Sequence, residues 1–262
     1  MTEPETVTST TIPARLSSAE QRLLFQDNRL LGRLPPPVLA ALEQQGRRRQ
    51  LADGDCIYAR GDAPDGLYGL LRGSARISNF SAEGREAVLA VLNPGSWFGE
   101  VSMFDGLPRS HDTHARGSTE LLLIPRAAFH QLLVQFPALY PVFTELLCRR
   151  LRLSFSLQED TTLLPLAARL AKRLVMHARN YGQSSRPSNV QRVTLSQESL
   201  AQMLNSSRQQ VNRLLKRMEA AGWVTLRYRS VELRDPAALN QVASGQRGLP
   251  PDSSSHPSPP QR

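Results

Sequence analysis

The sequence predicts an α+β chain in three parts: a β-sandwich or barrel, one long helix, and a C-terminal winged helix-turn-helix. Three patterns carry this. From Leu51 to Ile124, segments of alternating polarity such as LYGLLRGSARISNF and EAVLAVL are separated by Gly54, Gly61, Gly66, Gly73, Gly84, Gly95 and Gly99, the pattern of short strands and turns. Leu139, Phe143, Leu146, Arg150, Leu153 and Leu157 step by four and three in alternation, the spacing of a coiled-coil seam. Leu195 to Met218, LSQESLAQMLNSSRQQVNRLLKRM, reads as two short helices around a tight turn.

Taken in order, residues 1–16 are rich in Thr, Ser and Pro with little to bury, and they are expected to be disordered. Ser17 and Glu20 have capping-box spacing ahead of a short helix, Gln21 to Leu31. LPPPVLAALEQQG, Leu34 to Gly46, is a second helix, opened by prolines and stopped by glycine. The β-segments follow. The long helix is expected from Pro137 to about Asp160, packed either on its own β-domain or on a second copy of the chain. After a hinge near Asp160, Thr161 to Asn180 carries Leu163, Leu166, Leu170, Leu174 and Val175 at helical spacing, and QSSRPSN is a loop. GWVTLRYRSVELRD reads as a two-stranded wing with Arg227 and Arg229 near its turn. Residues 241–262 are Pro- and Ser-rich and are expected to form a disordered tail.

Within the helix-turn-helix, Ser196 is placed to cap the first helix, with Leu195 stapling onto Leu200. Asn205 falls where the chain must turn, and Asn tolerates the left-handed conformation. Ser206 or Ser207 caps the next helix. There Val211, Leu214, Leu215 and Met218 form a buried stripe, leaving Gln209, Asn212, Arg213, Lys216 and Arg217 opposite, with Arg208 at the exposed start. This face holds no acid between Arg208 and Arg217, and its residue types suit base edges in the major groove. Charge distribution agrees. Residues 1–160 hold 17 Lys and Arg against 18 Asp and Glu, whereas residues 161–240 hold 13 against 4, so the basic excess lies with the motif and points to a polyanion partner, double-stranded DNA. Arg227 and Arg229 fit phosphate contacts better than base reading.

The segment PGSWFGEVSMFDGLPRS, Pro94 to Ser110, carries a second chemistry. Gly99 and Glu100 open a short helix whose N–H groups can meet an anion, and Arg109 with Ser110 offers a forked cation beside a hydroxyl. That set suits one phosphate.

The glycine-punctuated strands, FGE followed nine positions later by RS, the long helix and the helix-turn-helix together resemble the cyclic AMP receptor protein / fumarate–nitrate regulator (Crp/Fnr) family of bacterial transcription factors, over about residues 24 to 235. The resemblance implies a cyclic-nucleotide-binding β-roll of jelly-roll type over 24–136, a dimerisation helix over 137–160 and a winged helix-turn-helix over 161–240, behind an extension, 1–23. It implies that Arg109 pairs with the cyclic phosphate beside Ser110, that Glu100 accepts the ribose 2′-hydroxyl, and that Gly99 admits close backbone approach. It also implies that Arg149 and Arg150 just precede the point where the long helix meets the base, and that Ser154 and Phe155 lie at it. Receptors of cyclic AMP offer two hydroxyl residues in succession there, and this chain has Ser154 followed by Phe155. The positions matching Arg208, Gln209 and Arg213 read bases in the family. Gln209 stands for an acid, which favours adenine at that base over cytosine. The expected protein is a ligand-responsive homodimeric regulator with a cyclic nucleotide, cyclic AMP first, as effector, no required cofactor, and RNA polymerase as a further partner. Two alternatives stay open: a regulator of this fold that takes no nucleotide, and a nucleotide-gated adaptor acting on proteins.

Other classes find less support. Cys56 and Cys148 are far apart and suggest neither a disulfide framework nor a cysteine metal site, and no cysteine precedes Cys56 to build an iron–sulfur sensor. His111 and His114 would point to opposite faces of a strand and are expected to be surface polar residues; with Glu100 they do not make a cupin-like metal set. No phosphate-cradling, nucleophile-elbow or HExxH motif argues for an enzyme. Glu3 and Glu5 with no apolar run argue against a secretory signal, and no segment spans a membrane, so a cytoplasmic protein is expected.

Overall fold

The computed structural model describes residues 17–84, 86–179, 181, 183, 191–228 and 230–250; the expected N-terminal disorder, most of the QSSRPSN loop, Arg229 and residues 251–262 lie outside them. Ser17 and Glu20 close a capping box at the start of α1 (Ser18–Asp27), the Glu20 carboxylate accepting the Ser17 N–H at 2.8 Å. Asn28 ends it. Its Oδ1 accepts the N–H groups of Leu30 and Leu31 at 2.9 and 3.0 Å, turning the chain towards α2 (Pro36–Gln45), where proline fills the first turn and no N–H is needed.

Six strands form one antiparallel sheet: β1 (Arg47–Leu51), β2 (Cys56–Tyr58), β3 (Gly66–Phe80), β4 (Glu86–Leu92), β5 (Trp97–Phe98) and β6 (Asp112–Pro125), in the order β1-β6-β3-β4, with β2 on β6 and β5 on β3. Strands begin at Arg47, earlier than the alternating pattern suggests, and two of them are long, with 15 residues in β3 and 14 in β6. Glycine inside β3 bends the strand instead of ending it. Gly73 sits at φ +75, where a Cβ would lie 2.4 Å from Thr119 Oγ1, and the β3–β6 register shifts around Arg72.

The short helix α3 (Glu100–Asp105) leaves β5 through Gly99 at φ +86. After β6 come α4 (Arg126–Gln135) and α5 (Leu139–Leu163). Two expectations are corrected here. The helix runs past Asp160 to Leu163, and it stops because Leu164 is extended ahead of Pro165. The stripe read as a dimer seam instead faces the chain's own β-roll. Leu139, Phe143 and Leu146 are buried with Phe25, Trp97 and Phe129, and Arg150, Leu153 and Leu157 line a cavity beside them. Apolar spacing marks a buried face but does not say what buries it. On its outer side the same helix leaves Tyr140, Cys148, Leu151 and Phe155 exposed, and Cys56 is exposed as well.

The second unit holds α6 (Leu166–Ala178), β7 (Gln191–Val193), α7 (Gln197–Met203), α8 (Arg208–Ala220), β8 (Val224–Arg227), β9 (Ser230–Leu233) and α9 (Pro236–Ala243), with the strands in the order β7-β9-β8. The first part of the tail expected from residue 241 is structured instead. The helix α9 continues to Ala243, Leu249 packs on the core, and the Arg247 guanidinium lies 4.7 Å from the Trp223 ring centroid. This unit docks on β4, whose Val88 and Val91 share its apolar core. Arg76 donates to Gln202 at 2.8 Å and Arg116 to Ser199 at 3.2 Å across the junction. Among the described residues no single helix is long and apolar enough to cross a membrane; α4 and α5 pass such a test only as a pair bent by 118°.

At this junction His177 is fully buried, its ring edge-on to Tyr181. Burial, then the neighbouring Arg173 charge, pushes its pKa down to about 4. The folded state therefore binds the proton less readily than the unfolded chain. Stability from this group is complete above about pH 6.5 and is lost as the pH falls towards 4, by about 2 kcal/mol at pH 5. Urea titrations at pH 7 and pH 5 test this: His177→Gln should flatten the difference, and an unchanged loss would contradict it.

Candidate ligand cavity and nucleic-acid interface

A cavity of about 340 Å³ opens between β4, α5 and the start of α3. Gly99, Arg109, Ser110, Arg150 and Ser154 line it together with His111, Tyr58 and Tyr181. The left-handed Gly99 is what lets the arginine in, because a Cβ there would stand 2.8 Å from Arg109 Nη1. Arg109 is 2% exposed. Its Nη1 donates to the Gly99 carbonyl at 2.7 Å, and its Nη2 to Asp65 at 2.8 Å and the Gly66 carbonyl at 2.5 Å. Its guanidinium lies 4.4 Å from the Tyr58 ring centroid, and its Nε has no acceptor among the described residues. Glu100, 0% exposed, sits just behind the wall and pairs with Arg150 at 2.9 Å. Arg150 also donates to the Trp97 carbonyl at 2.7 Å. Cation, buried carboxylate and hydroxyl thus converge on one pocket with a largely apolar remainder, an arrangement that suits an anionic group joined to a flat ring.

The helix-turn-helix forms as its sequence directs. Ser196 accepts the Ser199 N–H at 3.0 Å and Ser207 accepts the Gln210 N–H at 3.2 Å, while Asn205 turns the chain at φ 48. Val211, Leu214, Leu215 and Met218 are buried, each contributing roughly 1.5–3 kcal/mol and fixing which face of α8 looks outward. Arg208, Gln209, Arg213 and Lys216 are exposed on that face.

Comparison with known proteins fits both sites. Residues 48–136 match the family profile of the cyclic nucleotide-binding domain, and residues 168–242 that of the Crp-like helix-turn-helix domain. The CRP-like cAMP-activated global transcriptional regulator of Mycobacterium tuberculosis is 30% identical over 210 residues, covering 79% of this chain and 93% of that protein. The cyclic AMP receptor protein of Thermus thermophilus is 31% identical, covering 76% and 89%. The chain belongs to the Crp/Fnr family. A solved CRP-family transcriptional regulator, also from Thermus thermophilus, superposes with a TM-score of 0.57 at 29% identity, covering 75% of this chain and 96% of that one. The relatives are transcription regulators rather than enzymes, and the Crp/Fnr assignment makes this chain a DNA-binding transcription regulator.

Set against the sequence reading, this Crp/Fnr chain departs at several positions. Phe155 is not part of the cavity: one residue past Ser154 it is turned by about 100° on the helix and stands 56% exposed on the outer side. Ser154 itself lines the cavity, its hydroxyl returned to the Arg150 carbonyl at 3.0 Å. Asn212 is only half-exposed and donates to Gln197 at 2.6 Å, tying α8 to α7. Arg217 points to the C-terminal segment, where its Nε donates to the Pro250 carbonyl at 2.9 Å; it anchors that segment instead of standing free. His111 is no surface histidine, because it lines the cavity and its Nδ1 lies 2.7 Å from Ser110 Oγ, with burial lowering its pKa. Arg227 is exposed beside Tyr228, which is 91% exposed at the wing turn. Among the described residues no group of His, Cys, Asp and Glu is placed to hold a metal ion. Tyr58, Asp65, Tyr181 and Gln183 escaped the sequence reading, since none belongs to a motif and each reaches its site through long-range packing.

Proposed function

We propose that this regulator is a homodimer whose β-roll cavity takes a cyclic nucleotide, cyclic AMP first, and whose occupancy sets the pose of two recognition helices on DNA. The observation that carries the reading is the convergence of Gly99, Arg109, Ser110, Arg150 and Ser154 on one cavity with Glu100 behind it. In this reading the cyclic phosphate meets Arg109 and Ser110, the ribose 2′-hydroxyl meets Glu100 once Arg150 turns aside, and Ser154 faces the base. Ligand bound more tightly in one domain arrangement shifts the population towards it. Dimerisation uses the outer stripe of α5, Cys148, Leu151 and Phe155, spaced by three and four. Two recognition helices then meet successive major grooves about 34 Å apart.

Arg208, Gln209 and Arg213 are assigned to base edges, Ser207 and Lys216 to the nearby backbone, and Arg227 to phosphate from the wing. Arg213→Ala should weaken site-specific binding by about 1–3 kcal/mol and leave binding to random DNA nearly unchanged. Anisotropy titrations on a selected site and on scrambled DNA measure both, and an equal loss on the two would remove base reading from Arg213.

One observation favours a second reading, a regulator of this fold that takes no nucleotide. Three of the five N–H groups of Arg109 already have protein acceptors, which leaves its Nε–H and one N–H of Nη1 to a phosphate. Calorimetry with cyclic AMP, cyclic GMP and cyclic di-GMP separates the two: the first reading expects one saturable ligand, and no heat or thermal stabilisation from any of the three selects the second.

A further inference from the structure

The effector cavity is not built by the β-roll and α5 alone. Two of its lining residues, Tyr181 and Gln183, follow α6 and so belong to the DNA-binding half of the chain. Gln183 is 3% exposed and is tied to the β-roll at two points: its Oε1 accepts the Trp97 N–H at 2.9 Å, and its carbonyl accepts the Arg29 N–H at 2.8 Å. Trp97 therefore carries both sides of a junction, since its carbonyl accepts from the Arg150 guanidinium at the cavity wall and, at 3.5 Å, from Gln183 Nε2. Tyr181 is held at φ 52, a conformation uncommon for a non-glycine residue. Its ring packs edge-on to His177 and against the cluster that includes Leu92 and Phe98. With Gln183 tied in this way, Tyr181 brings an aromatic side chain from the reading domain into the ligand space.

We propose that Tyr181 is a specificity-determining residue of the effector cavity, in contact with the base, and that Gln183 is the positioning residue that holds it there. Effector and DNA-binding domain then touch within one chain. A ligand that draws Arg150 off the Trp97 carbonyl changes the peptide that Gln183 grips, and a base that fits Tyr181 stabilises one docking pose over another. The inference rests on the cyclic-nucleotide reading above.

Its test uses the full chain with cyclic AMP and cyclic GMP as probes, by calorimetry, and the DNA affinity with and without cyclic AMP. Tyr181→Ala should weaken cyclic AMP roughly tenfold, in line with loss of one aromatic–base contact. It should also shift the cyclic AMP to cyclic GMP preference at least about threefold and bring the effect of cyclic AMP on DNA affinity towards none. Tyr181→Phe, which keeps the ring, should stay within about twofold of wild type in all three. Gln183→Ala should lose the coupling to DNA with a smaller loss of nucleotide affinity. Tyr181→Leu fills the space without a flat ring and gives the same readouts should the alanine variant fail to fold. If wild type binds and responds to cyclic AMP while Tyr181→Ala and Tyr181→Leu keep its preference and its coupling, this inference alone is overturned. If wild type binds neither nucleotide, the inference is overturned, and the cyclic-nucleotide reading fails with it when cyclic di-GMP does not bind either.

Discussion

Phe155→Glu is expected to turn the dimer into a monomer and to cost about 10²–10⁴-fold in affinity for a two-half-site operator, because the second half-site contact would no longer be intramolecular. The reason lies in how α5 divides its two faces. Leu139, Phe143 and Leu146 are spent on the β-roll core, and Arg150, Leu153 and Leu157 on the cavity. What remains outward is Cys148, Leu151 at 55% and Phe155 at 56% exposure, at the 3–4 spacing of a helix pair. Two copies set side by side would bury this stripe, and a carboxylate at position 155 would face its own copy without a partner. Since the side chain touches neither the cavity nor α8, the isolated half-site affinity should hold. Sedimentation with paired full-site and half-site titrations checks this; a variant that stays dimeric would move the interface elsewhere.

Arg109→Leu is expected to remove measurable cyclic-nucleotide binding, a loss of at least about a hundredfold, since charge-assisted bonds to phosphate are among the strong ones. Leucine is uncharged and shorter, and it leaves the Gly66 and Gly99 carbonyls and one Asp65 oxygen without the Arg109 donor, so a lower melting temperature should accompany the loss. Arg109→Lys separates the two effects: it keeps the charge but cannot serve three acceptors as a planar fork. It should recover part of the binding. Calorimetry on a leucine variant that retains wild-type nucleotide affinity would take Arg109 out of the site.

The fold of the helix-turn-helix was legible almost residue by residue, because its determinants are local. Ser196 and Ser207 cap, Asn205 turns, and Val211, Leu214, Leu215 and Met218 set the face. The meeting of Gly99, Arg109 and Ser110 at one cavity was legible for the same reason: they fall within a dozen residues. The orientation of α5 was not. Its seven-residue pattern exists on both faces, and only the position of the β-roll decides which one is covered. Asn212 and Arg217 looked free because Gln197 and Pro250, which engage them, lie 15 and 33 positions away. Asp65 and Gln183 reach the cavity region from 44 and 86 residues off, as partners of Arg109 and Trp97, a distance over which no sequence spacing signals contact.

Control of DNA affinity by occupancy of the β-roll cavity is the central claim, and its most direct measurement is anisotropy on a selected operator, titrated with and without saturating cyclic nucleotide. One of cyclic AMP, cyclic GMP or cyclic di-GMP should change the dissociation constant by roughly 5–150-fold, and DNA should tighten that same nucleotide's binding by the same factor. An operator affinity that stays constant across all three nucleotides, at concentrations where one of them is shown by calorimetry to be bound, would contradict it.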